Sequence, residues 1–135
     1  MSAITHEQSL EQFHEQLAYV LANYHSHGKR ISNYHNVVIG GLGGSGIGGR
    51  ITRLAFLQQS PVPVEVFSEY GLPAYADAKT LVILCSYSGN TEETLSMFAQ
   101  AKSRGCDMIC VAAAGKLKDL AAEHGLAYYS VALGY

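Results

Sequence analysis

From Asn36 onward the chain alternates between two hydrophobic patterns. Short continuous apolar runs, Val37-Val38-Ile39, Leu81 to Cys85, Met108 to Val111 and Tyr128 to Val131, are separated by stretches whose apolar residues recur at helical steps. Runs of the first kind suit strands of a parallel sheet, where both faces are covered and polar alternation has no use. Val62, Val64, Val66 and Phe67, among Pro61 and Pro63, predict a further strand between the first and second of these. The intervening helices are marked by Ile47, Ile51, Leu54 and Ala55, by Leu95, Phe98 and Ala99, and by Leu117 to Glu123. Strands alternating with helices read as βαβ units with right-handed crossovers. The expected fold class is therefore α/β: a three-layer, doubly wound, flavodoxin-like five-stranded parallel sheet with an extra N-terminal helix.

That extra helix is signalled by Thr5 followed by Gln8, a capping-box spacing, and by the stripe Leu10, Phe13, Leu17, Leu21 and Tyr24. Gly28 is its natural stop, since glycine tolerates a left-handed cap. Residues 1–35 are thus expected to form a helical segment packing on a domain of residues 36–135. The stripe could cover the sheet of its own domain or a partner subunit. The chain stops at Gly134-Tyr135, just beyond a strand and without a closing helix, as a truncated chain would.

Composition narrows the function. A chain of 135 residues supports one domain with a real core, and 48% hydrophobic with 15% charged residues excludes disorder. The net charge of -2 gives no basic field for nucleic acid. No apolar run approaches the about 20 residues that cross a bilayer, and Met1 to Gln8 has no leader pattern, so a cytoplasmic protein without membrane contact is expected. Cys85, Cys106 and Cys110 lack metal or redox spacing and are read as buried thiols, while His25 and His27 would diverge on a helix, so no metal site is assigned.

Two loops remain. In a sheet of this winding the first and third strands are neighbours, and the loops after them meet in one crevice. The first reads Gly40-Gly41-Leu42-Gly43-Gly44-Ser45-Gly46-Ile47-Gly48-Gly49, with Gly48 and Gly49 in an opening helical turn where each costs up to about 1 kcal/mol against alanine. Close approach of backbone to a ligand or to a neighbouring strand would justify them; so would tight turns, with Ser45 a helix cap. The third loop reads Ser86-Tyr87-Ser88-Gly89-Asn90-Thr91-Glu92-Glu93. Its hydroxyls on Ser86, Ser88 and Thr91 stand before a helix whose first amides are unpaired, an arrangement that suits a phosphate dianion, and Gly89 permits the bend. The plainer alternative is capping, with Asn90 and Glu93 at capping-box spacing. Glu92 and Glu93 would repel an anion if they faced it and are expected to face solvent.

Together, Gly43-Gly44-Ser45-Gly46-Ile47-Gly48-Gly49 and Ser86-Tyr87-Ser88-Gly89-Asn90-Thr91-Glu92-Glu93-Thr94-Leu95 resemble the SIS (sugar isomerase) fold, and more narrowly the N-terminal half of the bifunctional phosphoglucose/phosphomannose isomerases. The resemblance implies that Ser86, Ser88 and Thr91 bind the phosphate of a hexose 6-phosphate, that Gly44 and Ser45 contact the sugar phosphate, and that Gly89 and Asn90 belong to the same substrate-binding loop. It also implies a second SIS domain or an identical subunit as partner, a dimer in the latter case, and no cofactor. Such relatives carry their glutamate, histidine, lysine and arginine catalytic groups after the first domain, so no catalytic residue is assigned, and binding with poor turnover is expected. Two rivals stand beside this reading. Gly41-x-Gly43-x-x-Gly46 with Glu69 matches an NAD-type Rossmann fingerprint, although it leaves the hydroxyl-rich loop unexplained. A regulatory SIS module that senses a phosphosugar would carry the same loops.

Overall fold

The computed structural model describes residues 25–42 and 44–131. Its strands are β1 (Asn36–Gly40), β2 (Val64–Phe67), β3 (Thr80–Ser86), β4 (Asp107–Ala112) and β5 (Ala127–Ser130). Its helices are α1 (Gly44–Phe56), α2 (Glu92–Ser103) and α3 (Gly115–Glu123). All strand pairs are parallel, and the order across the sheet is β2-β1-β3-β4-β5. This is the expected doubly wound arrangement, and it differs from the 3-2-1-4-5 order of the dinucleotide-binding rival.

Every predicted strand is present, with one informative trim. The run from Val62 joins the ladder as a strand only at Val64, because Pro61 and Pro63 have no amide to give; Pro63 still accepts the Val37 amide at 2.9 Å. The predicted N-terminal helix lies mostly outside the described residues. His25 to Arg30 have no regular structure, so no helix runs up to Gly28, though Gly28 does take a positive φ of 70°.

Successive residues of a strand point to opposite faces, and the core divides accordingly. Val38, Val82, Leu84, Met108 and Cys110 pack with Met97 and Phe98 of α2 and with Leu117 and Ala121 of α3. Val37, Ile39, Leu81 and Ile109 form the other face, with Val64, Val66, Ile83 and Tyr129 around them. That second face carries α1, whose Gly49 is so close to the sheet that an added Cβ would lie 2.9 Å from Cγ2 of Ile39. Ile51 and Leu54, which help to mark α1 in the sequence, are therefore not on the face it buries. Gly49 faces the strands, while Ile51 and Leu54 stay 62% and 66% exposed.

The described N-terminal residues are tied to β4 and β5. His25 stacks on the Tyr129 ring with centroids 4.5 Å apart. Asp107, at the start of β4, accepts hydrogen bonds from Lys29 Nζ at 2.8 Å and from the Tyr34 hydroxyl at 2.5 Å. Partial burial raises the Asp107 pKa, but the bonds from Lys29 and Tyr34 outweigh it and the net shift is downward. The Tyr34 phenol is pushed up to about 12, first by burial and then by its bond to Asp107.

These shifts bound stability at both ends of the pH scale. A depressed carboxylate stabilises the fold fully above its ordinary pKa of 3.8 and loses that contribution as pH falls below it. A raised phenol contributes fully below its ordinary 10.0 and is lost as pH climbs toward about 12. Asp107→Asn is expected to lower unfolding free energy at pH 7 by only about 1 kcal/mol, because the cluster is partly solvated, and to flatten the acid limb of a denaturation curve. An acid limb identical to the parent's would refute the assignment. The thiols give a second check. Burial pushes Cys85 up to about 11 and Cys110, which also feels Cys85, up to about 12, so neither should be labelled by a thiol reagent at pH 8 until the protein unfolds.

Candidate phosphate site at the ends of the first and third strands

Because β1 pairs with β3, with Gly40 opposite Leu84, the two loops leave the sheet side by side, on strands about 4.8 Å apart. One turns toward α1 on one face and the other toward α2 on the opposite face. Open sheets wound this way have their crevice between two such loops.

The first loop is folded back on itself. The Gly41 amide donates to the Phe67 carbonyl at 3.1 Å, and the Ser68 hydroxyl donates to the Gly41 carbonyl at 2.6 Å. Gly46 donates to the Leu42 carbonyl at 3.3 Å, and a Cβ there would meet Gly41 O at 2.9 Å. Part of the glycine content therefore serves close packing: Gly46 against its own loop and Gly49 against the sheet. Gly44 and Ser45 are the first two residues of α1 and sit at the crevice end of that helix; the Ser45 side chain is outside the described set. Sequence reading missed Ser68 and Arg50, whose Nη2 donates to the Ser68 hydroxyl at 3.3 Å and brings a cation beside this loop. Neither carries a motif; only the fold brings them together.

In the third loop, the hydroxyls of Ser86 and Thr91 are 2.9 Å apart, and Ser86 Oγ also accepts the Gly89 amide at 3.1 Å. Ser86 is only 3% exposed, so it braces the loop from beneath, whereas Thr91 is half-buried and Ser88 exposed. Ser88 Oγ accepts the Asn90 amide at 3.1 Å, and its own proton remains to be given elsewhere. Gly89 has φ of 74° and is the bend of the loop. Thr91 is the N-cap residue of α2, yet its hydroxyl makes no capping bond. The first amides of α2 are thus left to whatever approaches them, and the helix dipole adds about half a positive charge. Glu92 is exposed and accepts the Tyr70 hydroxyl at 3.1 Å; that bond, followed by the charges of Glu93 and Glu92, raises the Tyr70 pKa.

Asn90 does not cap α2 with Glu93. Its Oδ1 accepts the Lys116 amide, in the first turn of α3, at 2.9 Å. Beside that bond, Leu117 N donates to Gly89 O and Ala113 N to Tyr87 O, both at 2.9 Å. The loop after β3 is consequently joined to the turn after β4, an association that spacing alone could not reveal. Among the described residues, no group of three His, Cys, Asp or Glu side chains could hold a metal ion, and no helix is long and apolar enough to cross a membrane.

Comparison with known proteins agrees with this geometry. The Vibrio vulnificus NanR protein complexed with ManNAc-6P superposes with a TM-score of 0.74 at 14% identity, over 96% of this chain and 52% of that one. The sugar isomerase domain of the RpiR transcription factor from Sphaerobacter thermophilus gives 0.73 at 16% identity, over 93% and 74%. At these identities the likeness establishes the fold. In sequence, a bifunctional phosphoglucose/phosphomannose isomerase from Caldicellulosiruptor bescii is 44% identical over 119 residues, which are 88% of this chain and 35% of that protein. The chain therefore spans about a third of that relative's length. The SIS domain family profile matches residues 30–126, and the parallel sheet, its winding and the paired loops are what that match requires: the chain belongs to the SIS domain family.

Proposed function

We propose that this chain is the sugar-phosphate-binding domain of an aldose-ketose isomerase that interconverts glucose 6-phosphate or mannose 6-phosphate with fructose 6-phosphate. The observation that carries the proposal is the start of α2, where the N-cap Thr91 makes no capping bond and the exposed Ser88 lies three residues earlier in a loop that leaves the sheet beside the first. A phosphate dianion suits such a helix start, and no lysine is required. Since the Ser86 and Thr91 hydroxyls share a single hydrogen bond, whichever of them accepts keeps a proton to offer the anion. Gly44 and Ser45, across the crevice, would meet the sugar end, and Gly89 and Asn90 would shape the loop around the phosphate. The names of the C. bescii relative and of the ManNAc-6P complex support a phosphosugar as the ligand class.

Isomerisation moves a proton between C1 and C2 and needs a carboxylate base at the carbon. The proposal assigns this chain binding and orientation of the phosphate, and no proton transfer; the base would come from a second SIS domain or an identical subunit. Free thiols fit a cytoplasmic setting.

A ligand that binds only the native state raises stability by RT ln(1 + [L]/Kd), about 2.7 kcal/mol at a hundredfold excess over Kd. Glucose, mannose or fructose 6-phosphate is accordingly expected to raise the melting temperature by several degrees, while NAD and FMN leave it unmoved; a response to dinucleotide alone would reverse the assignment. Two serines should separate in calorimetry. Ser88→Ala is expected to weaken hexose 6-phosphate binding at least about tenfold while changing fold stability by less than about 1 kcal/mol, because Ser88 is exposed and holds one amide. Ser86→Ala should also lower stability, by about 1–2 kcal/mol, because it removes a buried bond to Gly89 and strands Thr91. Equal affinity in parent and Ser88→Ala would sink the phosphate loop.

A further inference from the structure

Gly115 and the first turn of α3 belong, we propose, to the phosphate-binding machinery as positioning elements that fix the height and tilt of the Ser88-Gly89 segment; this rests on the reading of that segment as the phosphate site. The two backbones are in direct contact. A Cβ on Gly89 would fall 1.7 Å from the Ala114 carbonyl oxygen, and a Cβ on Gly115 would fall 2.2 Å from the Ser88 carbonyl oxygen and 2.8 Å from Asn90 Oδ1. Both residues also hold positive φ, 74° and 81°. Each glycine is therefore doubly constrained, by conformation and by the other loop. Gly105 and Gly125, with φ of 72° and 63°, follow α2 and α3 and would point a Cβ into open space.

The contact is reinforced in one direction. The Lys116 amide donates to Asn90 Oδ1, the Leu117 amide to Gly89 O and the Ala113 amide to Tyr87 O, so the turn after β4 supplies donors and the loop after β3 supplies acceptors. Carbonyls of Tyr87 and Gly89 are drawn toward α3. With its carbonyls held there, the segment has its Ser88 hydroxyl and the amides of α2 left for the anion. Displacement of the Ser88 carbonyl by even a methyl group at Gly115 would tilt the donors, and recognition of a tetrahedral anion by fixed donors is sensitive to shifts of this size. Gly115 has no side chain to offer a ligand, and what its missing Cβ secures is the approach of the two backbones.

The test compares glucose 6-phosphate affinity of the parent, Gly115→Ala and Gly105→Ala by calorimetry, with melting temperatures recorded in parallel. Gly105→Ala introduces the same left-handed strain with no contact, and serves as the stability control. Gly115→Ala is expected to weaken binding about ten- to a hundredfold, against about twofold or less for Gly105→Ala. Equal affinities for the two variants overturn the positional role. If folded parent and Gly105→Ala both fail to bind, the phosphate reading itself is wrong and the positional role falls with it. A second measurement needs no variant: glucose 6-phosphate should slow hydrogen exchange at the Lys116 and Leu117 amides, which have their acceptors on the loop, together with the amides of Glu92 and Glu93. Slowing at Glu92 and Glu93 with none at Lys116 and Leu117 would overturn the proposal even if Gly115→Ala does not fold.

Discussion

Parallel pairing of β1 with β3 is the constraint from which the rest of the molecule follows. The chain winds outward from this pair in both directions, to β2 on one side and to β4 and β5 on the other. A single crossover hand requires the two directions to use opposite faces, so α1 covers one face while α2 and α3 cover the other. β1 and β3 are neighbouring strands that send their chains to different faces, to α1 and to α2. Where neighbouring strands part in this way the winding leaves a crevice at their ends, and the candidate residues lie on the loops beside it.

The glycines near this pair show what close packing demands. Gly40, at the end of β1, would place a Cβ 2.7 Å from Cε of the fully buried Met97, and Gly49 would press on Ile39. Helices on both faces thus approach β1 more closely than side chains would allow. On α1 this has a visible result. With Gly49 facing the strands, Arg53 runs along the β2 edge, its Nε donating to the Val64 carbonyl at 2.9 Å, and Ile51 and Leu54 turn outward. Arg53 also covers an edge carbonyl that would otherwise be open to another strand.

Sheet and helices were legible because their signals are local: Val37 to Ile39, Leu81 to Cys85 and Met108 to Val111 are continuous apolar runs, and parallel strands need nothing subtler. The candidate loops stood out in the sequence too, since three hydroxyls before a helix are explained only in part by capping, and the fold places them on neighbouring strands. Orientation was not legible. Ile51 and Leu54 mark a helix correctly yet point away from its sheet, because a glycine face leaves no periodic trace that hydrophobicity can report. On α2 the marked residue Ala99 is exposed, while Thr94, Met97 and Ala101 are buried beside Phe98. Asn90 was read within its own loop because capping is a local rule; its actual partner, the Lys116 amide, is 26 positions away and becomes a neighbour only when β3 and β4 pair.

This last pairing also explains why one helix start rather than another is suited to an anion. Both α2 and α3 begin at the same end of the sheet, and by dipole alone either would attract negative charge. The Lys116 and Leu117 amides in the first turn of α3 are already engaged by Asn90 and Gly89, and a helix start with two donors engaged has less left to offer. The start of α2 is the reverse: its N-cap threonine turns to Ser86 instead of capping. The carbonyls that occupy α3 come from the very loop that leaves α2 open, so one set of hydrogen bonds closes one site and holds the other in shape. On the proposed reading, selectivity for a single anion position would arise from backbone contacts between two turns, ahead of any side chain that touches the ligand.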